Sequence, residues 1–224
     1  KPDFGEAHFN LGSTLINIGN LKEAELSTRK AIELNPDFAE AYSNLGTILR
    51  DLGNLKEAEI STRKAIELNP NNAKTYSNMG NILKDLGNLK EAKKYYYKAI
   101  EIRPDLAETN YNISFLLLKE KKFKEGFNKY EWKFKCKNKK DLMPSKISIK
   151  KPEWNPNNKV RVLLWDEQGI GDKILFASLI PELNNLVDQL IVQVDERLIP
   201  LFRRSFDRRT IYLQRDQILD ENKY

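Results

Sequence analysis

The 224-residue chain carries 38 Lys and Arg against 32 Asp and Glu, a net charge of +6, and 40% of it is hydrophobic, a balance typical of folded globular proteins rather than disordered ones. A single cysteine, Cys136, excludes an internal disulfide and a multi-Cys metal site, and a single histidine, His8, excludes a site built from several His ligands. The sequence has no signal-peptide pattern and no apolar run of the ~20 residues that span a bilayer, so we expect a cytoplasmic protein without a membrane span.

The first part of the chain contains four copies of one unit, at 2–35, 36–69, 70–103 and 104–137. The first two copies are identical at 25 of 34 positions, and the fourth is the most divergent. A fixed period of this length predicts stacked supersecondary units that together bury a continuous core. We therefore assign residues 1–137 to a repeat solenoid.

Each copy is predicted to form two helices, because apolar residues recur at helical spacing in two segments. In the second copy, Gly53 ends the first helix, since a left-handed turn favours glycine. Asn69 and Pro70 end the second, since proline cannot continue a helix. Small residues recur where helices must approach closely, namely Gly12, Gly46 and Gly80 in the first helix and Ala24, Ala58 and Ala92 in the second.

These offsets of Gly, Ala and Pro, present as Gly46, Ala58 and Pro70 in the second copy, resemble the tetratricopeptide repeat, whose unit has the same length. The resemblance covers residues 2 to about 137. It implies a mostly α-helical fold, a right-handed α-solenoid, with a concave groove that binds a protein or peptide.

One polar position recurs in the first helix of every copy, as Asn10, Asn44, Asn78 and Asn112. The resemblance places these residues on the concave face. A carboxamide both donates and accepts hydrogen bonds, so such a ladder can pair with a peptide backbone whatever its side chains. Members of the family that glycosylate proteins use a similar ladder on their substrates. The alternative is that asparagine is simply common at this position of the repeat.

A basic stretch follows. Residues 119–151 contain 13 Lys and four acids, a net charge of +9. Such a stretch attracts anionic partners, yet it contains no Arg, the side chain favoured for two-pronged phosphate contacts. Residues 138–159 contain three Pro and many Asn and Lys, so we interpret them as a Lys-rich linker and do not expect nucleic-acid binding.

The periodicity then changes. Short apolar runs predict strands at 160–165, 189–194 and 210–214. The first intervening helix is predicted to begin at Asp172 and to kink or break at Pro181, and the second spans 196–206. The apolar face of the first consists of Ile174, Leu175, Ser178 and Leu179. Alternating strands and helices indicate parallel strands, so 160–224 are predicted to form a partial α/β unit, a Rossmann-like βαβαβ.

The turn after the first strand is the candidate ligand loop, because open α/β sheets bind ligands beyond the carboxyl ends of their strands. The loop residues are Glu167, Gln168, Gly169 and Gly171. Asp172 begins the helix, where backbone N–H groups gather partial positive charge. Residue 174 is Ile, so the third glycine of a dinucleotide-binding motif is missing. Asp172 is then either a functional acid or a helix cap.

The stretch LLWDEQGIGDKILFASLIPEL, with EW at 131–132 and PEW at 152–154, resembles bacterial proteins in which tetratricopeptide repeats precede a glycosyltransferase-like domain. That domain is similar to the ADP-heptose:lipopolysaccharide heptosyltransferases, which have the two-domain GT-B fold. Their Gly-Asp turn matches Gly171 and Asp172. The resemblance implies that Asp172 is a catalytic base that activates an acceptor hydroxyl, on a glycan or a protein. It also implies a nucleotide-sugar donor, bound mainly by a second domain that this sequence does not encode.

Two functions remain open. Residues 160–224 are either the N-terminal, acceptor-side half of a truncated GT-B-like domain, inactive by itself, or a degenerate α/β tail on a non-enzymatic peptide-binding adaptor. In both cases we expect no cofactor and no metal ion in this stretch of chain. A second α/β domain downstream would favour the enzyme.

Overall fold

The computed structural model of the chain describes residues 3–136, 153–165, 170–206 and 208–214. The chain separates into two compact units, Lys1–Lys139 and Lys140–Tyr224. The first unit contains the helical repeats, and the second contains a small parallel sheet.

The described part of the first unit contains eight α-helices, each odd-numbered helix packing on the one that follows it. They are α1 (Asp3–Asn17), α2 (Leu21–Leu34), α3 (Ala39–Asp51), α4 (Leu55–Leu68), α5 (Ala73–Asp85), α6 (Leu89–Ile102), α7 (Ala107–Lys119) and α8 (Phe123–Tyr130). The predicted helix pairs are confirmed. One difference is that α8 is short and continues as a 3-10 helix, Glu131–Lys135.

The turn inside each helix pair has a left-handed backbone residue. Gly19, Gly53 and Gly87 adopt φ angles of +79°, +85° and +83°. An L side chain is strained in this region, so glycine ends the first helix as predicted. The fourth copy has Lys121 at this position, with a φ of +61°. The turn is therefore the same in all four copies, although only three of them carry the residue that favours it.

The small residues of the repeat are explained by close helix–helix contact. A Cβ atom built on Gly80 of α5 would lie 2.5 Å from two ring carbons of Tyr96 in α6. Tyr96 and Ala92 are fully buried at the same helix interface. Without glycine at position 80, α5 and α6 would have to separate to keep the Tyr96 ring between them.

The core continues from one repeat to the next. Ile32 of α2 packs against the cluster that contains Leu45 of α3, and Ile66 of α4 packs against the cluster that contains Met79 of α5. Neighbouring first helices also contact each other directly, α1 with α3 and α3 with α5. The odd-numbered helices therefore line one continuous surface, which we call the first-helix face.

The second unit contains a three-stranded parallel sheet in the order β1-β2-β3. Its strands are β1 (Arg161–Trp165), β2 (Gln189–Val194) and β3 (Ile211–Gln214), and its helices are α9 (Ile170–Ala177), α10 (Ile180–Leu186) and α11 (Ile199–Ser205), with a 3-10 helix at Glu196–Leu198. Each strand lies within one residue of its prediction. The predicted break is also confirmed, because α9 and α10 are separate helices and Pro181 lies in the first turn of α10.

The predicted apolar face of α9 is wrong. Ile174, Leu175 and Leu179 are 48%, 67% and 46% exposed, and Ser178 is exposed as well. The physical reason is the break between the helices. Because α9 stops at Ala177, the sheet is covered from this side by Ala177 and by Ile180 of the following helix, which join the core of the unit.

Candidate functional site

The four asparagines of the predicted ladder lie one on each first helix, Asn10 on α1, Asn44 on α3, Asn78 on α5 and Asn112 on α7. The side chain of Asn10 is exposed, and the other three are half-buried. We call Asn44, Asn78 and Asn112 the amide ladder. Its members are on the first-helix face, because each of them contacts the first helix of the preceding repeat.

Hydrogen bonds join the amide ladder to the preceding repeat. Asn44 Nδ2 donates to Ser13 Oγ at 3.0 Å, and Asn112 Nδ2 donates to Asn81 Oδ1 at 2.9 Å. Asn78 Nδ2 makes two such bonds, which end at the hydroxyls of Ser43, at 3.3 Å, and Thr47, at 3.1 Å. Sequence reasoning missed these acceptors. The available signal was that Ser13, Thr47 and Asn81 occupy one repeat position and are all polar.

A second row of bonds lies beneath the amide ladder. The hydroxyl of Thr75 donates to that of Ser43 at 3.2 Å, and the hydroxyl of Thr109 donates to that of Ser77 at 2.7 Å. All four side chains are buried. This hydroxyl row fixes the spacing between first helices without adding a polar group to the surface. It was not predicted from the sequence.

Asn81 is a junction between two repeats. Its Oδ1 accepts from Asn112 and also from the Tyr96 hydroxyl, at 2.7 Å. The Tyr96 ring fills the space left by Gly80, so its hydroxyl reaches through the repeat to the first-helix face. Burial, followed by the nearby Asp85 carboxylate, raises the pKa of Tyr96 above its usual range. The phenol therefore stays a neutral donor to Asn81 at ordinary pH.

Charged residues at the ends of the first helices are paired with each other. Arg50 bonds Asp51 at 2.6 Å and lies 3.8 Å from Asp85. Lys84 lies 3.8 Å from the second oxygen of Asp85. Arg50 and Lys84 thus neutralise the carboxylates of Asp51 and Asp85. The ends of these helices therefore carry no unpaired negative charge that would attract a basic ligand.

The fourth repeat has an aromatic ring, Phe115, at a position where the second and third repeats have the polar residues Thr47 and Asn81. The ring centroids of Tyr111 and Phe115 are 4.9 Å apart, and Tyr130 lies 5.3 Å from Tyr111 and 5.9 Å from Phe115. Lys133 Nζ lies over the Tyr130 ring at 4.6 Å. Burial, and then the neighbouring Tyr130, raises the pKa of Tyr111 to about 12. We call Tyr111, Phe115 and Tyr130 the aromatic cluster.

A buried polar group anchors α8 to α7. Asn110 is fully buried, and its Nδ2 donates to the carbonyl oxygens of Pro104 and Leu106, at 2.9 Å each. Lys129 of α8 donates to Asn110 Oδ1 at 2.6 Å. The three bonds satisfy the amide from both sides, so Asn110 holds the start of α7 and the end of α8 together.

The predicted ligand loop of the second unit is only partly covered by the structure. Glu167, Gln168 and Gly169 lie outside the described residues. Gly171 and Asp172 lie in the first turn of α9, which begins two residues earlier than the sequence predicted. The structure places this turn after the carboxyl end of β1. The role of Asp172 as a functional acid remains a prediction.

Elsewhere in the second unit, a cavity of about 420 Å³ lies between α11 and the end of β3, lined by Ile199, Arg203, Tyr212 and Gln214 among others. In the part of the chain that the structure describes, no three His, Cys, Asp or Glu side chains are grouped as metal ligands would be. Over the same residues, no helix is both long and apolar enough to cross a bilayer.

Comparison with known proteins agrees with the repeat geometry. Sequence models of the tetratricopeptide repeat match residues 5–38, 39–72 and 73–106. The chain therefore contains a tetratricopeptide repeat array, as the spacing of glycine, alanine and proline predicted. The matched ranges end before most of the fourth copy and before the second unit.

Solved structures give the same result. A crystal structure of MamA has a TM-score of 0.53 and 26% sequence identity, and the match covers 63% of this chain and 82% of that one. MamA from Desulfovibrio magneticus RS-1, residue 41 to the end, has a TM-score of 0.52 at 18% identity, over 61% of this chain and 77% of that one. The latter shows a common fold alone. No curated protein sequence matches the chain.

Proposed function

We propose that the tetratricopeptide array is a protein-interaction scaffold that binds an extended peptide along its first-helix face. The observation that carries the proposal is the orientation of the amide ladder. Asn44, Asn78 and Asn112 use their amide nitrogens to bond the preceding repeat. Within the described residues, their Oδ1 atoms make no hydrogen bond, so a row of acceptors with fixed directions is left for a ligand.

Such a row suits the backbone of a peptide. Backbone N–H groups are donors that every residue except proline carries, so the ladder recognises an extended chain rather than a particular side chain. The bonds to Ser13, Thr47 and Asn81 hold the amides in place before a ligand arrives. The ordering cost on binding is then smaller than for free side chains.

The test compares two double variants that remove the same kind of bond. Asn44→Ala with Asn78→Ala removes two rungs of the ladder. Thr75→Val with Thr109→Val removes the two bonds of the hydroxyl row and leaves the first-helix face unchanged. Each pair lowers the free energy of unfolding, by about 1 kcal/mol per bond, because both sets join repeats.

Binding is measured by fluorescence anisotropy with the tightest peptide from an array of short sequences, at a temperature where all variants are folded. We expect the asparagine variant to bind roughly thirtyfold more weakly, from two lost bonds of about 1 kcal/mol each. The threonine variant should bind as the wild type does. Equal affinity of the asparagine variant and the wild type would remove the ladder as the binding element.

For the second unit, the function that fits best is the acceptor-side part of a glycosyltransferase-like domain, with a Rossmann-like βαβαβ topology. Three parallel strands and a helix that begins directly after the β1 loop support it, because this is where open α/β sheets bind ligands. Asp172 would be the base for the acceptor hydroxyl, and the nucleotide-sugar donor that such enzymes use would bind to a second α/β domain. The acceptor would be a glycan or a protein presented by the repeats.

This second proposal is tested with the full-length protein and the substitution Asp172→Asn. The probe is a panel of nucleotide-sugars, with release of the nucleotide as the readout. General-base assistance typically supplies ~100-fold or more, so turnover should fall by that factor while donor affinity stays the same. Turnover at the wild-type rate, or no release by the wild type from any donor, would instead favour a non-enzymatic adaptor with an α/β tail.

A further inference from the structure

The first-helix face changes its chemistry at the fourth repeat. Three positions, each four residues from the next and thus on one side of the helix, show the change. They are occupied by Ser43, Thr47 and Asp51 in α3, by Ser77, Asn81 and Asp85 in α5, and by Tyr111, Phe115 and Lys119 in α7. Relative to α3 and α5, small polar residues and an acid are thus replaced by two aromatic rings and a base, whereas α1 has Phe9, Ser13 and Asn17 at these positions.

The polar ladder ends where the rings begin. Thr47 and Asn81 each accept a hydrogen bond from the asparagine of the following repeat. Phe115 stands at the same repeat position and has no polar group to accept one. A peptide that follows the ladder therefore meets an apolar surface at this end of the first-helix face.

Phe115 is exposed and yet firmly held. Its ring is 47% exposed and packs edge-on against Tyr111 and Tyr130, at interplanar angles of 70° and 80°. Tyr111 is only 5% exposed, so the ring behind Phe115 is part of the core. A rigid ring that is presented in this way binds an apolar side chain at a low cost in conformational entropy.

The charge beside this ring is also reversed. Lys119 lies one helical turn beyond Phe115, where the second and third repeats have Asp51 and Asp85. Over the residues described, Lys119 makes no ion pair. The adjacent Glu120 is bonded by Lys93 and Lys122 and does not neutralise it. An exposed apolar ring and an exposed cation thus lie side by side on α7.

We infer that this end of the first-helix face is a specificity site for a peptide in which a bulky apolar residue adjoins an acidic one. The apolar side chain packs on Phe115, and the carboxylate faces Lys119. The inference rests on the proposed peptide binding and adds the sequence preference that the amide ladder lacks. A single-stranded nucleic acid fits less well, because Arg50 and Lys84, the cations at the ends of α3 and α5, are already paired with Asp51 and Asp85.

The repeat itself supplies substitutions that the fold accepts. Phe115→Thr and Lys119→Asp install the residues that the second repeat has at these positions. The matched control is Phe127→Glu, since Phe127 is an aromatic residue of α8 that is 54% exposed and Glu59 stands at its position in the second repeat. All three variants should therefore keep the fold, which circular dichroism checks.

The experiment selects random short peptides, displayed on phage, against the 224-residue chain and the three variants. Wild type should enrich peptides with an aromatic or large aliphatic residue next to Asp or Glu. Phe115→Thr should bind the best of them at least about tenfold more weakly, as truncation of an interface anchor does. Lys119→Asp should change the preferred neighbour from acidic to basic, and Phe127→Glu should change nothing.

The outcomes separate this inference from the proposal beneath it. If Phe115→Thr and Lys119→Asp select the same peptides as wild type, while Asn44→Ala with Asn78→Ala loses them, peptide binding stands and the specificity site is wrong. An equal loss of binding with Phe127→Glu also overturns the specificity site. If wild type selects no peptide, or instead retains a poly-dT oligonucleotide through Phe115, both are overturned.

Discussion

The third and fourth repeats have the same period and the same order of helices, but their internal contacts differ. In the third, Gly80 admits the Tyr96 ring, and Gly87 forms the turn. In the fourth, Ser114 stands at the position of Gly80, and Lys121 takes the left-handed turn. This difference shows that helix lengths and turn geometry set the 34-residue period. A residue at a contact can change even where the opposite position keeps its residue, since Tyr130 of the fourth repeat stands at the position of Tyr96.

The largest effect is expected from a side chain at position 80, because only the fourth repeat, with Ser114, has a side chain at this place in the repeat. Gly80→Val would make methyl groups overlap with the Tyr96 ring, since even a Cβ atom at position 80 would lie 2.5 Å from its carbons. Overpacking of this kind costs about 3 kcal/mol. We expect a loss of that size in the free energy of unfolding, measured with urea.

Two controls accompany this variant. Ser114→Ala, at the same position of the fourth repeat, should cost less than about 1 kcal/mol, because it removes only a hydroxyl that bonds the Tyr111 carbonyl of its own helix. Combining Gly80→Val with Tyr96→Ala should cost less than the sum of the two changes. Additive losses would show that the ring and the glycine are independent.

The next effect concerns a contact that only the fourth repeat has. Lys129→Ala removes the donor to Asn110 Oδ1 and leaves a buried oxygen unpaired, at a cost of about 2 kcal/mol. The exposed Lys124 of the same helix provides the control, and Lys124→Ala should have almost no effect. Thermal unfolding of both variants measures the difference, and equal melting temperatures would show that Asn110 finds another partner.

Alkaline pH should weaken both repeats through their buried tyrosines. An unfolded tyrosine has a pKa of about 10, whereas burial raises the pKa of folded Tyr111 to about 12 and also raises that of Tyr96. A raised folded pKa means that the stabilisation is complete below pH ~10 and is lost as the pH rises through the folded values. Urea unfolding from pH ~9 to ~12 should show this decline, and Tyr96→Phe with Tyr111→Phe should make it shallower. An identical pH profile would contradict the assignment.

The smallest effect is a gain. Lys121 holds a φ of +61° that costs a non-glycine residue about 1 kcal/mol, so Lys121→Gly should stabilise the array by up to that amount. The reverse change in the third repeat, Gly87→Lys, should destabilise it by a similar amount, because Gly87 has a φ of +83°. If both changes lower the melting temperature, then the Lys121 side chain, and not its backbone, stabilises the turn.

The sequence predicted the helices well because their signals are local. Gly53 and Pro70 lie at the ends of helices and act through their own backbone, and the 34-residue period repeats these signals. The error in predicting the buried side of α9 has a different cause. Leu175 is apolar and correctly spaced, yet it is exposed, because the sheet is reached from Ala177 and Ile180 after the helix breaks. Which side of a short helix is buried depends on packing that periodicity does not contain.

The candidate site was half predictable for the same reason. The asparagine positions follow from the period alone. Their partners do not, because the bond from Asn78 to Thr47 joins residues of different copies and depends on the offset between neighbouring helices. The role of Phe115 could not be predicted from the sequence either, because its ring packs on Tyr130, which lies on a different helix of the most divergent copy.

The doubly bonded Asn81 has a consequence for the way the array opens. If α7 and α8 fray, the bond from Asn112 is lost, but the Tyr96 hydroxyl still donates to the same oxygen from within the third repeat. The carboxamide oxygen of Asn81 therefore keeps a partner when the last repeat opens, and the third repeat keeps this bond of its own. The backbone amides of α7 and α8 should then exchange with deuterated solvent well before those of α5 and α6. The repeat that carries the aromatic cluster is thus the part of the array that we expect to open first when the protein unfolds.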